Sequence, residues 1–203
     1  MAVVAEPKAP MTVSKSAWLA LVVMGWTAPA AQAQTPTPAK LVAAQSELRF
    51  QIKQSGVPVE GKFARFDAQL ALDPKAPQTG SVTLSIDSAS ATVGFAESDA
   101  ELPGAKWFNS ARFPRATFQS SAIKGLGSGR FEVVGKLAIK GATQDLVVPV
   151  GIVQSGAFST ATGEFVVKRL DFKIGESEWA DVSLVANDVR VRFKLVFTGL
   201  GNL

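Results

Sequence analysis

Asp188-Val189-Arg190-Val191-Arg192-Phe193-Lys194-Leu195-Val196-Phe197 places an apolar side chain at every odd position, with Arg190, Arg192 and Lys194 between them. Successive side chains leave a strand on opposite sides, so a period of two marks a strand with one buried face and one in water. The same rhythm recurs throughout the chain. Leu48, Phe50 and Ile52 alternate with Glu47, Arg49, Gln51 and Lys53, and Phe66, Ala68, Leu70 and Leu72 form a second row. Val82, Leu84 and Ile86 form a third, Phe131, Val133, Leu137 and Ile139 a fourth, and Leu146, Val148, Val150 and Ile152 a fifth. Gly and Pro stand in the gaps, at Gly56-Val57-Pro58, Asp73-Pro74, Gly125 to Gly129, Gly141, Gly156 and Gly175, as turns require. Only residues 94–109 depart from the pattern. There Ala96 to Leu102 is rich in Ala and Glu, which predicts one or two helical turns ended by Pro103-Gly104. The fold class expected is all-β, with eight antiparallel strands and a short helical insertion near residues 94–109.

The first 40 residues read differently. Lys8 and Lys15 precede an apolar run from Ala17 to Ala31, and Ala31-Gln32-Ala33 supplies small residues for cleavage. This is the pattern of a secretory signal peptide, residues 1–33, with cleavage after Ala33. Gly25, Thr27 and Pro29 interrupt the run, which falls short of the ~20 apolar residues that span a bilayer. Met1 and Met11 are alternative starts, since Met11 onward already contains a complete signal. Residues 34–40, with Pro36 and Pro38, read as a linker, and the folded domain is expected over residues 41–203. An outer-membrane barrel would also carry a signal, but it needs aromatic girdles. The chain has no Tyr, and beyond the signal only Trp107 and Trp179.

Composition removes most chemistry. Cys is absent, which excludes disulfides, thiolate metal sites and a cysteine nucleophile. His is absent too, so no Ser-His-Asp triad and no imidazole metal ligand exist. No metal and no cofactor are expected. The mature chain keeps a slight basic excess, but its cations alternate with acidic or apolar residues, so no stripe for nucleic acid is expected.

Four segments in order resemble the YceI-like family. They are Ser46-Glu47-Leu48-Arg49-Phe50 with Gly56-Val57-Pro58-Val59-Glu60-Gly61-Lys62-Phe63 and Phe66-Asp67; Trp107-Phe108-Asn109 with Phe113-Pro114-Arg115-Ala116-Thr117-Phe118-Gln119-Ser120; Gly135-Lys136-Leu137-Ala138-Ile139-Lys140-Gly141-Ala142-Thr143; and Lys168-Arg169-Leu170-Asp171-Phe172-Lys173-Ile174-Gly175, running on to Trp179. The resemblance implies a lipocalin-like barrel exported to the periplasm, with an elongated interior pocket for a polyisoprenoid or quinone-like lipid. It also implies association of some relatives with membrane b-type cytochromes. Many relatives carry a histidine where this chain has Gln54, and Ala44-Gln45-Ser46 replaces a common aspartate-histidine opening.

An eight-stranded barrel can be filled by side chains or can hold one ligand, and strand parity does not choose between them. If hollow, its pocket candidates are Phe50, Ile52, Phe66, Leu70, Leu72, Leu84, Ile86, Phe108, Phe113, Phe118, Val133, Leu137, Ile139, Phe165, Phe172 and Trp179. Arg169 and Arg115 are the candidates for contacting a ligand headgroup. Arg169 and Asp171 share strand parity, which would point both to one face, where a structural corner is the competing role. Asp171, Glu176, Glu178 and Asp181 are the only carboxylate group that resembles acid-base machinery, and their Gly-Glu-Ser-Glu setting reads as a solvated turn. No enzyme is expected. The leading expectation is a lipid carrier, monomeric or homodimeric. The alternative is an interaction module that supports a membrane redox or envelope-stress system with a filled barrel.

Overall fold

The computed structural model describes residues 38–203. The expected signal peptide and most of the expected linker lie outside the described residues. The strands are β1 (Ala39–Leu41), β2 (Glu47–Gln54), β3 (Val57–Phe63), β4 (Phe66–Ala71), β5 (Ser81–Asp87) and β6 (Ala91–Thr92). After helix α1 (Ala96–Glu101) come β7 (Arg115–Gly127), β8 (Arg130–Ile139), β9 (Ala142–Ser155), β10 (Phe158–Lys168) and β11 (Asp188–Thr198). The sheet begins at Ala39, a buried residue paired with Leu70, two positions before the start expected at Leu41.

All pairings are antiparallel. The order β1-β4-β5-β7-β8-β9-β10-β11 returns to β1 and closes an eight-stranded barrel. Closure removes the exposed edges that an open sheet would present. The opening strand is broken in two. β1 pairs with the end of β11 at Lys40–Thr198 and Leu41–Phe197, whereas β2 pairs with its first half, from Lys194–Glu47 to Arg190–Gln51. Ser46 fixes the kink between them: its hydroxyl donates to the Val42 carbonyl (2.9 Å) and accepts from the Val196 amide (2.9 Å).

The apolar parity read from the sequence is the parity that faces inward. Leu48, Leu70, Ile86, Phe118, Phe131, Val133, Leu137, Val148, Ile152, Leu195 and Phe197 are all buried. The helical insertion is the single α-helix among the described residues, six residues long. One end of the barrel is closed by the C-terminal residues, where the Gln154 side-chain amide donates to the Gly201 carbonyl (3.0 Å) and its oxygen accepts from the Leu203 amide (3.1 Å). The other end is the mouth, formed by the β2–β3 hairpin, residues 93–114, the Lys140-Gly141 turn and residues 169–187.

Glycines set how tightly the wall can wrap. Gly61 and Gly163 lie directly opposite Phe50 and Phe193 on neighbouring strands, and each ring covers its glycine. A Cβ on Gly163 would collide with the Phe193 ring and stand 2.6 Å from the Pro149 carbonyl oxygen, which is backbone and cannot swing away. Gly163→Ala is therefore expected to cost about 2 kcal/mol, within the range for overpacking a dense interior. Urea denaturation checks this, with an unchanged slope showing that the fold is retained.

Candidate functional site

The barrel interior holds two adjoining chambers. The inner chamber, about 140 Å³, is lined only by apolar residues, with Leu70, Leu72, Ile123, Phe131, Ile152 and Phe197 toward the closed end. The outer chamber, about 320 Å³, lies under the mouth between Phe50, Ile52 and Val59 on one side and Phe172, Ile174, Trp179 and Val185 on the other. Phe63, Phe108, Ile139, Val167 and Val191 line both, so they form a collar between the chambers. Phe50, Phe63 and Phe108 stack in series there, with ring centroids 5.4 and 5.7 Å apart. An all-apolar chamber of this size is of the order of the ~150 Å³ cavities that stay dry and take up benzene or xenon.

Most of the expected pocket residues meet in this space. Leu70, Leu72, Leu84, Ile86, Phe118, Val133, Leu137 and Phe165 line the inner chamber, Phe108 and Ile139 the collar, and Phe50, Ile52, Phe172 and Trp179 the outer chamber. Phe66 and Phe113 line neither chamber. Phe66 packs at the foot of β4 and lines a separate groove, while Phe113 lies against Gly141 with the Arg112 guanidinium 5.3 Å from its ring centroid. Parity reasoning passes over Phe63, Val93, Phe95, Leu102 and Trp107. Phe63 ends a strand, and the others sit in the irregular segment, where no period applies.

The two headgroup candidates have other roles. Arg115 lies on the outer wall, exposed, and donates to the Ser85 hydroxyl (3.1 Å). Arg169 does reach the outer chamber, but it is 1% exposed and every N–H is already taken. Nε donates to the Ala186 carbonyl (3.0 Å), one terminal nitrogen to Ile174 (2.8 Å) and Gly175 (3.0 Å), and the other to Trp179 (2.6 Å) and Val185 (2.6 Å). A guanidinium has five donors and no acceptor, so none remains for a ligand. Burial lowers its pKa from the ordinary value, yet an arginine stays charged in a protein. Residues 169–172 form a 3₁₀ turn, not a strand, so Arg169 and Asp171 do not share a face: Asp171 is exposed. Arg169 is thus the clamp of the mouth loop, the corner role.

The outer chamber's remaining polar side chains are Gln54, Glu97, Ser98 and Glu101. Trp107, stacked on Trp179 at 5.6 Å, also lines it, and its indole Nε1 is buried without a partner.

Three carboxylates near the mouth, Glu176, Glu178 and Asp181, are held ionised. Glu176 pairs with the buried Lys140 (2.7 Å), whose ammonium also donates to the Lys173 carbonyl (2.6 Å); this hydrogen bond and charge pull the Glu176 pKa below its ordinary value. Hydrogen bonding from Lys106 does the same for Glu178, and the Ser183 hydroxyl for Asp181. None is poised as a general acid near neutrality. A carboxyl whose pKa is lower folded than unfolded adds stability above its unfolded value and loses it as pH falls through its folded value. Stability is therefore expected to hold from neutrality down to about the ordinary glutamate value of 4.5 and to fall below it. Glu176→Gln should flatten that fall, as melting temperature against pH will show. Among the described residues no group of His, Cys, Asp or Glu could hold a metal, and no helix is long and apolar enough to cross a membrane.

A family model described as the YceI-like domain matches residues 40–197. The chain belongs to the YceI-like family. The crystal structure of Burkholderia cenocepacia BcnA is similar at 39% identity and a TM-score of 0.75, covering 77% of this chain and 99% of that one. A polyisoprenoid binding domain from Saccharophagus degradans shares the fold at 18% identity and a TM-score of 0.65, covering 80% of this chain and 98% of its own. A UPF0312 protein of Vibrio cholerae serotype O1 is 26% identical over 157 residues, 72% of this chain and 83% of its own length.

Proposed function

We propose that this YceI-like protein binds one long apolar lipid of the isoprenoid type inside its barrel, carries it in the periplasm, and catalyses no reaction on it. The observation that carries this reading is the wholly apolar inner chamber, which adjoins the outer chamber at Phe63, Phe108, Ile139, Val167 and Val191. A narrow, dry channel suits a thin hydrocarbon chain, each buried CH₂ of which contributes about 0.8 kcal/mol before the cost of ordering the chain. The Saccharophagus degradans domain, described as polyisoprenoid binding, supports the same ligand class.

The head of the ligand would lie in the outer chamber. The only arginine there has no free donor, and Glu97 and Glu101 are acidic, so a neutral oxygen-bearing head such as a quinone fits better than a phosphate. The Trp107 N–H, costly to leave unpaired by about 1–3 kcal/mol, is a donor suited to such an oxygen. The periplasmic setting rests on the signal-peptide pattern. A membrane b-type cytochrome, the partner the family resemblance suggests, would be a source or acceptor of a quinone-like ligand. A filled barrel acting only as an interaction module has less support, given the open chambers. Organic extraction and mass spectrometry of protein purified from its own periplasm test the reading. One isoprenoid lipid per chain is expected, and protein that repeatedly arrives without an apolar ligand overturns it.

A further inference from the structure

Charges that alternate along each strand become a block once the strands are paired. Lys62 of β3, Arg49 of β2 and Arg192 of β11 stand directly opposite one another in a single row. All three point outward, because their neighbours Phe63, Leu48, Phe50, Val191 and Phe193 face the chambers. Like charges opposite each other weaken a sheet, and at ~4.8 Å between strands this row packs three cations into about 10 Å. Compensation is partial. Glu47 pairs with Arg49 at 2.8 Å, and Glu164 is shared between Arg192 at 2.6 Å and Arg190 at 3.5 Å. Lys62 and Lys194 have no carboxylate within salt-bridge distance among the described residues; both are exposed, and the Arg49 and Arg192 side chains are 55% and 48% exposed.

The row runs into a seam in the barrel wall. β2 pairs with β3 only from Arg49 onward, and β1 pairs with β4 only at Leu70 and Gln69. A groove lies there between residues 46–49, at the start of β2, and residues 62–66, at the β3–β4 corner. This groove, about 490 Å³, is lined by Arg49, Lys62 and Arg65, by Ser46 and the single carboxylate Glu47, and by the partly exposed Phe63 and Phe66. Leu48 and Phe63 also line the inner chamber, so one layer of side chains separates groove from chamber.

We propose that this wall docks on an anionic phospholipid bilayer, with the Lys62–Arg49–Arg192 row meeting lipid phosphates and Phe63 and Phe66 of the neighbouring groove lying against the membrane. This rests on the lipid-carrier reading, because an isoprenoid lipid has to be taken from or delivered to a bilayer. An excess of cations beside two partly exposed phenylalanines matches a lipid surface, which offers phosphate and hydrocarbon together, better than an acidic soluble protein, which offers charge alone.

Sedimentation with vesicles of phosphatidylcholine, with and without a one-third share of phosphatidylglycerol, tests the proposal across a salt series. The wild type should pellet with the anionic vesicles, less so as salt rises, and stay free of the neutral ones. The triple variant R49Q/K62Q/R192Q should lose about a hundredfold in that affinity. Its melting temperature and its extracted lipid should stay at wild-type levels, which would not hold if the row served only to stabilise the sheet. Wild type that ignores phosphatidylglycerol, or a triple variant that binds as well as wild type, overturns the proposal. Lipid extracted from a protein that ignores vesicles leaves the carrier reading standing, whereas vesicle binding by a protein that never yields lipid removes the carrier reading and leaves the docking wall.

Discussion

Replacing Arg169 with Ala is expected to destabilise the protein by about 4 kcal/mol, a large part of the ~5–15 kcal/mol that holds a domain of this kind together. The reason lies in what it leaves behind. The carbonyls of Ala186, Ile174, Gly175, Trp179 and Val185 all converge on one guanidinium, which is 1% exposed. Each carbonyl stranded in the interior costs about 1–3 kcal/mol, and some will regain water as the mouth loop opens. Arg169→Lys should recover little, because an ammonium has three donors on a flexible stem where five in a planar fork are used. Gly175 tightens the same knot. It sits at φ 75°, and a Cβ there would strike the Arg169 guanidinium. Urea denaturation will measure the loss. Hydrogen exchange should locate it in residues 173–187 before the strands, since that loop depends on the clamp and the sheet does not. A variant less than 1 kcal/mol below wild type would show that water replaces the guanidinium at no cost.

Arg169 also marks where the sequence stops being readable. Lys168-Arg169-Leu170-Asp171-Phe172 alternates like a strand, yet the chain turns there into a 3₁₀ helix, and the acceptors that decide its shape lie up to 17 residues away. Spacing cannot show a partner that only the tertiary fold brings close. The long runs around Leu48, Phe131, Leu146 and Phe193 were legible because burial on one side imposes a period of two whatever the partner strand is. Parity also gave the side on which Leu84 or Val150 points. It could not give the radius of the barrel, and so could not separate a packed interior from a channel; that depends on glycines such as Gly61 and Gly163 lying under phenylalanine rings. The basic row was hidden for a related reason. Arg49 and Arg192 look well spaced along the chain and meet only through the pairing of the first long strand with the last.

The channel can be closed from within. Ala161 on β10 lies between Ile152 and Leu195, is 5% exposed and lines the inner chamber. Ala161→Phe would project a ring into a space of about 140 Å³ that is otherwise left for ligand. Filling half of it returns about 1.5 kcal/mol at ~24 cal/mol per Å³ of cavity, against an overpacking cost of about 1–3 kcal/mol, so the ligand-free protein should stay within about 1 kcal/mol of wild type. Ligand binding should not. Pushing an isoprenoid chain back by three or four carbons removes about 3 kcal/mol of burial, roughly a hundredfold in affinity. Val166→Phe, on the outer face of the same strand and 49% exposed, is the matched control and should leave retained lipid unchanged. Lipid extracted per chain from the two variants, alongside their urea midpoints, separates a blocked channel from a damaged barrel. If Ala161→Phe folds as well as wild type and still yields a full complement of lipid, the ligand does not occupy the inner chamber, and binding is confined to the space between the collar and the mouth.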